Sequence, residues 1–325
     1  MGARLLLALA TWLAGVLAVA APAGAVTIGI ADQKPDMFGD VRFLDAGLRH
    51  ARIAVGWDAM TSPWQVSELD RWMAAARDAG VVPLVSFMHS RTDRRSLPTP
   101  ERLLYEFRRF RDRYPWVREF ATWNEANHCG EPTCHRPRLV AAYWRKLSRE
   151  CRECRVLAAE VLDMPNMFRW VRAFRRQAKA EPRWWGMHNY IDANRFHTTS
   201  TRRLLRATKG KIWLTEVGGI VERRNLRKVG FDESPRHAAR ALTWVFRRLI
   251  PLSRRLQRVY VYHWNITPVR ENWDSALIGP RGTPRPALAI VQREASREAT
   301  RRRARARARR AAARRTGARA GRAGR

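Results

Sequence analysis

The chain has 325 residues, of which 46% are hydrophobic and 14 are tryptophan, which excludes a polymer disordered throughout and leaves room for one large α/β domain or two smaller ones. Its formal charge is +34, and twelve of those positive charges sit between Ala299 and Arg325, where no acid occurs, leaving +22 for everything before. That block has no apolar residues beyond alanine to bury, so 299–325 is expected to be a disordered Arg/Ala/Gly tail suited to an anionic wall or surface polymer.

The chain opens with Arg4, an apolar run from Leu5 to Ala21, then Pro22 and Ala23-Gly24-Ala25. This reads as a secretory signal peptide, 1–25, cut before Val26, with a retained membrane anchor as the alternative. Export weighs against a dedicated nucleic-acid partner. From Val26 onward, short apolar runs alternate with amphipathic segments. The predicted strands are Val26–Ile30, Ala51–Trp57, Val81–Phe87, Glu119–Trp123, Arg155–Val161, Trp185–Tyr190, Lys211–Val217 and Arg258–Trp264. The predicted helices are Phe38–His50, Gln65–Ala79, Glu101–Tyr114, Leu139–Cys151, Met167–Ala180, Thr201–Thr208, Arg236–Arg254 and Pro286–Ala295. Gly80 stops the second and Pro100 starts the third.

Eight strands, each followed by a helix, over residues 26–298, predict a single-domain (β/α)8 TIM barrel. Near-continuous apolar strands suit a parallel sheet buried on both faces. An open doubly wound sheet is the competing architecture, and no G-x-G-x-x-G turn follows the first strand to favour it. Four cysteines form two close pairs, Cys129 with Cys134 and Cys151 with Cys154. In an oxidising compartment these read as two local disulfides. Zinc, with His128 and His135 beside the first pair, and a redox C-x-x-C are weaker alternatives.

In a barrel of this kind the active site lies at the carboxyl ends of the strands, so the polar residues there carry the functional signal. Strand two holds Arg52, strand three leads to His89, and strand four ends in Asn124-Glu125. Strand six ends in His188-Asn189-Tyr190, strand seven holds Glu216, and strand eight ends in His263-Trp264-Asn265. Two carboxylates on opposite sides of one pocket, with aromatic platforms, suit cleavage of a glycosidic bond: one delivers a proton, the other attacks or acts as base. Asp163 is a further subsite candidate.

Trp123-Asn124-Glu125-Ala126-Asn127 and Trp213-Leu214-Thr215-Glu216-Val217-Gly218, with Arg52, His188-x-Tyr190 and Trp264, resemble the clan A retaining glycoside hydrolases. The likeness is to cellulase-like family 5 and to family 39. The closing stretches Trp273–Leu277 and Thr283–Ala287 extend the resemblance over nearly the whole barrel. Ala126 departs from the pattern, since proline commonly follows the acid/base Glu. The resemblance implies Glu125 as acid/base and Glu216 as nucleophile, with Arg52, His89, Asn124, His188, Tyr190 and Trp264 binding a β-glycan. It implies no metal and no organic cofactor, in a secreted or surface-associated enzyme expected to be a monomer. A wall-glycan transglycosylase and a non-catalytic carbohydrate-binding barrel are the alternatives. Sugar, linkage and endo or exo action are not readable at this level.

Overall fold

The computed structural model describes residues 26–224, 230–267 and 272–323, with side chains described as far as residue 308; the expected leader, 1–25, lies outside the described residues. The strands are β1 (Thr27–Ala31), β2 (His50–Gly56), β3 (Val82–Met88), β4 (Glu119–Ala121), β5 (Arg155–Leu157), β6 (Glu160–Leu162), β7 (Trp184–His188), β8 (Lys211–Val217), β9 (Glu222–Arg223), β10 (Leu256–Tyr262) and β11 (Trp273–Asp274). All but β9 and β11, which form a separate antiparallel ribbon, belong to one parallel sheet in the order β5-β4-β3-β2-β1-β10-β8-β7-β6. The two ends of that order are halves of one strand, interrupted at Ala158-Ala159. Thr122 N donates to Leu157 O on one flank, while Ala158 N donates to Trp184 O and Gly186 N to Ala159 O on the other. The sheet therefore closes into an eight-strand barrel.

The helices are α1 (Val41–Asp45), α2 (Pro63–Asp78), α3 (Pro100–Arg113), α4 (Pro137–Glu150), α5 (Met167–Ala178), α6 (Tyr190–Asn194), α7 (Thr199–Ala207), α8 (Pro235–Trp244) and α9 (Pro286–Ala323). They start where the sequence supplies a cap or a proline: Thr99 Oγ accepts Arg102 N at the head of α3, and Ser234 Oγ accepts His237 N at the head of α8. Their apolar stripes, such as Leu69, Trp72, Met73 and Ala76 of α2, bury against the outer face of the strands. Inside the barrel a smaller layer of Ala31, Leu84, Ala121, Leu157, Trp213 and Tyr260 fills the axis.

Three expectations change. The predicted helix Phe38–His50 is a 3-10 turn, Pro35–Gly39, followed by the single-turn α1. Asp40 caps α1 by accepting Arg42 N, and Gly47, at φ +64°, stops the chain soon after. The predicted helix Arg236–Arg254 is regular only to Trp244, then passes through a π turn, Val245–Leu249, into a 3-10 turn, Ile250–Leu252, because Pro251 has no N–H to continue the ladder. The tail expected to be disordered continues α9 as far as Ala323. Alanine and arginine are among the strongest helix formers, and the first turns of α9 dock on α8 and β1, with Ile28 N donating to Glu298 Oε2. From residue 301 to 308 every side chain is exposed.

Both cysteine pairs are disulfides, Cys129–Cys134 and Cys151–Cys154, with Cα separations of 4.8 and 5.2 Å. His135 Nε2 lies 3.7 Å from Cys129 Sγ, but sulfurs joined to each other offer no thiolate to zinc. Among the described residues no helix is long and apolar enough to cross a membrane.

Candidate active site

The carboxyl ends of the strands bring together residues far apart in sequence around Arg52. This guanidinium is buried, and its position on β2 fixes its direction across the barrel. Nη1 donates to Glu216 Oε1 at 2.6 Å, Nη2 to Asn124 Oδ1 at 2.7 Å, and Nε to Glu160 Oε1 at 2.8 Å, while Nη2 also pairs with Glu160 Oε2. His188, at the end of β7, lies on the other side. Its Nδ1 is 3.1 Å from Glu125 Oε1 and 3.5 Å from Glu216 Oε2, and its Nε2 is 3.5 Å from Glu160 Oε2. A carboxylate oxygen of Glu125, one of Glu216 and a ring nitrogen of His188 all lie within 4.8 Å of one another. Tyr190 OH reaches Glu216 Oε2 at 3.3 Å.

Both carboxylates stay partly open to solvent, their side chains 23% exposed for Glu125 and 14% for Glu216. Glu125 has φ +39°, a left-handed backbone that a residue with a Cβ adopts at a cost of about 1 kcal/mol or more. Neighbouring backbone bonds hold it there: Asn124 N donates to Phe87 O and Ala126 N to Glu160 O.

The electrostatics follow from burial opposed by pairing. Burial disfavours a charged His188, but Glu216 and the hydrogen bonds to Glu125 and Glu160 outweigh it and raise the imidazolium to about 10. Glu160, fully enclosed, is pressed upward by burial and pulled well below the carboxylate range by Arg52 and then His188. Burial likewise raises Glu125, and the His188 hydrogen bond, with the charges of His188, His128 and Arg52, reverses this to a net lowering.

A cavity of about 730 Å³ lies between the carboxyl ends of β1 to β3 and α2, lined by Gln33, Lys34, Gly56, Glu68, His89 and Arg91 among others, and none of Arg52, Asn124, Glu125, His188, Tyr190 or Glu216 lines it. His89 belongs to that cavity. Its Nδ1 meets Glu131 Oε1 at 2.6 Å, and Trp123 Nε1 donates to Glu131 Oε2 at 2.9 Å, which ties the Cys129–Cys134 loop to the barrel.

No protein-family model matches the sequence, and no curated protein matches it either. Solved structures do match in shape. A family 39 glycoside hydrolase from Bacteroides cellulosilyticus WH2 superposes with a TM-score of 0.55 at 14% identity, over 83% of this chain and 63% of that one. Xylanase 10B from Thermotoga maritima gives 0.58 at 11%, over 84% and 96%. A fungal β-1,4-galactanase gives 0.58 at 10%, over 82% and 98%. The fold shared with these structures is the (β/α)8 barrel. The chain spans less than two thirds of the family 39 enzyme and nearly all of the other two.

Of the residues singled out at strand ends, Arg52, Asn124, Glu125, His188, Tyr190 and Glu216 converge, while His89 is held by Glu131 and lines a separate cavity. Trp264 does not join them. It is 1% exposed, its Nε1 donates to Asp40 Oδ2 at 3.0 Å, and its ring packs edge-on against Phe43. The strand ends at Tyr262, so the two-residue alternation that would have aimed Trp264 at the cleft stops short of it. Tyr262, packed over the barrel's inner layer and only partly buried, is the aromatic at that position. Asp163 is 2% exposed and accepts Asp192 N on Oδ2 at 2.8 Å, so it is no subsite contact. Glu160 was not singled out at all, although a carboxylate inside the apolar run Val156–Val161 was a signal in plain view.

Proposed function

We propose that the chain is a retaining O-glycoside hydrolase that cleaves a β-linked oligo- or polysaccharide by double displacement. The observation that carries this reading is the proximity of the two partly exposed carboxylates, with one oxygen of Glu125 and one of Glu216 within 4.8 Å of each other. Retaining enzymes hold their two carboxyl groups about 5–5.5 Å apart, and inverting ones roughly 6.5–9.5 Å to admit a water.

Glu216 attacks the anomeric carbon, held in line by Arg52 and Tyr190. Glu125 protonates the departing oxygen. In the resting site that proton resides on the His188 imidazolium, and it reaches Glu125 Oε1 along the 3.1 Å hydrogen bond. Loss of the leaving group restores the Glu125 carboxylate, which then takes a proton from the water that releases the glycosyl-enzyme. Asn124, held by Arg52, offers its amide N–H to a sugar hydroxyl, and Tyr262 supplies an apolar face. Export belongs to the same reading, because two disulfides suit an oxidising compartment.

The test is sugar release from a panel of β-glucans, mannans, xylans, galactans and wall glycans, with Glu125→Gln and Glu216→Gln alongside. Release from one polymer, lost in both variants, supports the assignment. Activity surviving in Glu216→Gln removes it as the nucleophile, and products longer than the substrate turn the reading toward glycan transfer.

A further inference from the structure

The end of the barrel opposite the cleft holds a second cavity, of about 530 Å³. Its walls come from Arg155 at the head of β5, Arg183 before β7, Lys211 opening β8, Arg254 and Arg258 around the head of β10, and Arg305 of α9. Six cations thus converge on one opening. Two carboxylates lie beside them, Glu298, which bonds Ile28 N, and Glu119 at the base of β4, which is already shared: Arg155 Nη1 donates to Oε1 at 2.7 Å and Arg258 Nη2 to the same oxygen at 2.8 Å. Among the described residues, no carboxylate lies within 4.0 Å of the side-chain nitrogens of Arg183, Lys211, Arg254 or Arg305.

Arginine is abundant over the whole surface, and only part of it is matched: Arg108 pairs with Glu150, Arg113 with Asp70 and Arg175 with Glu181. What sets the base of the barrel apart is that six cations from separate strand heads and α9 line one opening. Several are also held in place: Arg258 lies 3.8 Å over the Trp213 ring and Arg183 5.0 Å over Trp184. Their field reaches His50 in the floor, which burial, Arg258 and Arg155 together lower to about 4. Outside the mouth, Arg301, Arg302, Arg303 and Arg307 carry the positive track along exposed α9.

We propose that this mouth binds the phosphate groups of a linear phosphate polymer and so seats the chain by the face away from its cleft. Arginine forks match phosphate oxygens in pairs, a cluster with more cations than counter-charges raises the local concentration of anions, and a track continuing along α9 suits a chain better than a single ion. The inference does not depend on the glycosidase reading, since its test reads binding at the opposite end of the barrel and no cleavage.

The experiment titrates the full chain with a long-chain inorganic polyphosphate at two salt concentrations. It compares Lys211→Glu/Arg254→Glu at the mouth with Arg138→Glu/Arg149→Glu on the exposed surface of α4, a change of equal charge. The expected result is saturable binding, weakened about tenfold or more and with a shallower salt dependence in the mouth variant alone. Equal losses in the two variants would mean charge without a site and would overturn the proposal. Tighter binding of polygalacturonate, a carboxylate polymer, than of polyphosphate at matched charge would overturn the choice of phosphate. Thermal melts of both variants, matching the wild type, establish that any loss is not unfolding.

Discussion

A glutamate with no exposure, between an arginine and a histidine, is costly unless every charge is answered, and Glu160 is answered three times, by Arg52, Ser86 and His188. It touches no solvent and hence no substrate, yet it holds both cations that face the two candidate catalytic carboxylates. In Glu160→Gln the imidazolium loses a counter-charge, so its proton is released at lower pH. The alkaline limb of the pH–rate profile should move down by about one unit or more, with kcat falling roughly a hundredfold. A profile that keeps its alkaline limb would leave Glu160 a packing residue. Asp163 offers the opposite case. Burial lifts it to about 7, and Oδ1 has no partner, so ionising it above that pH costs stability. Asp163→Asn should therefore raise the melting temperature at pH 8 and change it little at pH 4, as calorimetry at the two pH values would show. The convergent polar residues were legible because carboxylates and amides at the ends of apolar runs have no reason to be there unless an opening lies beyond. Glu160 stayed hidden because its partners come from strands 74 and 108 residues away in sequence, a distance that spacing cannot register.

At the scale of elements, strand identity was easier to read than strand ends. Parallel strands buried on both faces announce themselves as apolar runs, whereas their ends are set by partners. The Ala158-Ala159 break in the fifth barrel strand exists because its two halves bond to different neighbours, β4 and β7, which no local pattern reveals. The start of α9 is legible in the sequence and its continuation past residue 299 is not, because charge density argues for disorder there while intrinsic propensity and the docking of its first turns argue for helix. The loop after β8 shows how tightly an element can be fixed. A Cβ at Gly219 would lie 2.1 Å from Ala238 Cα, so Gly219→Ala must push α8 away from the barrel. The expected cost is about 3 kcal/mol, read as a lower urea midpoint at unchanged slope. A midpoint within error of wild type would mean that α8 gives way freely.

For the whole molecule, the linked protons fix where stability is greatest. The raised His188 contributes fully below about 6.5 and its contribution is lost as the pH rises through about 10. The depressed Glu160 contributes fully above about 4.5 and is lost only as the pH falls through its lowered native value. The raised Asp163 loses its contribution between about 3.8 and about 7. Buried His50 and His263, lowered to about 4 and about 3, contribute fully above about 6.5 and lose that contribution as the pH falls. Together these groups place the maximum near pH 6.5, and a melting curve that instead peaks above pH 8 would show that other groups dominate.

The hydrogen bond from Ile28 to Glu298 has a topological consequence: the first strand and the last helix of the barrel meet, so the described domain has neighbouring ends. A circular permutant follows naturally. Residue 300 can be joined to residue 26 by a short Gly/Ser link and the chain opened between the exposed Arg152 and Glu153, where the Cys151–Cys154 bridge would staple the new termini together. Such a chain should reach the same melting temperature within a few degrees when oxidised and fray at its new ends when reduced, a difference that limited proteolysis would display directly.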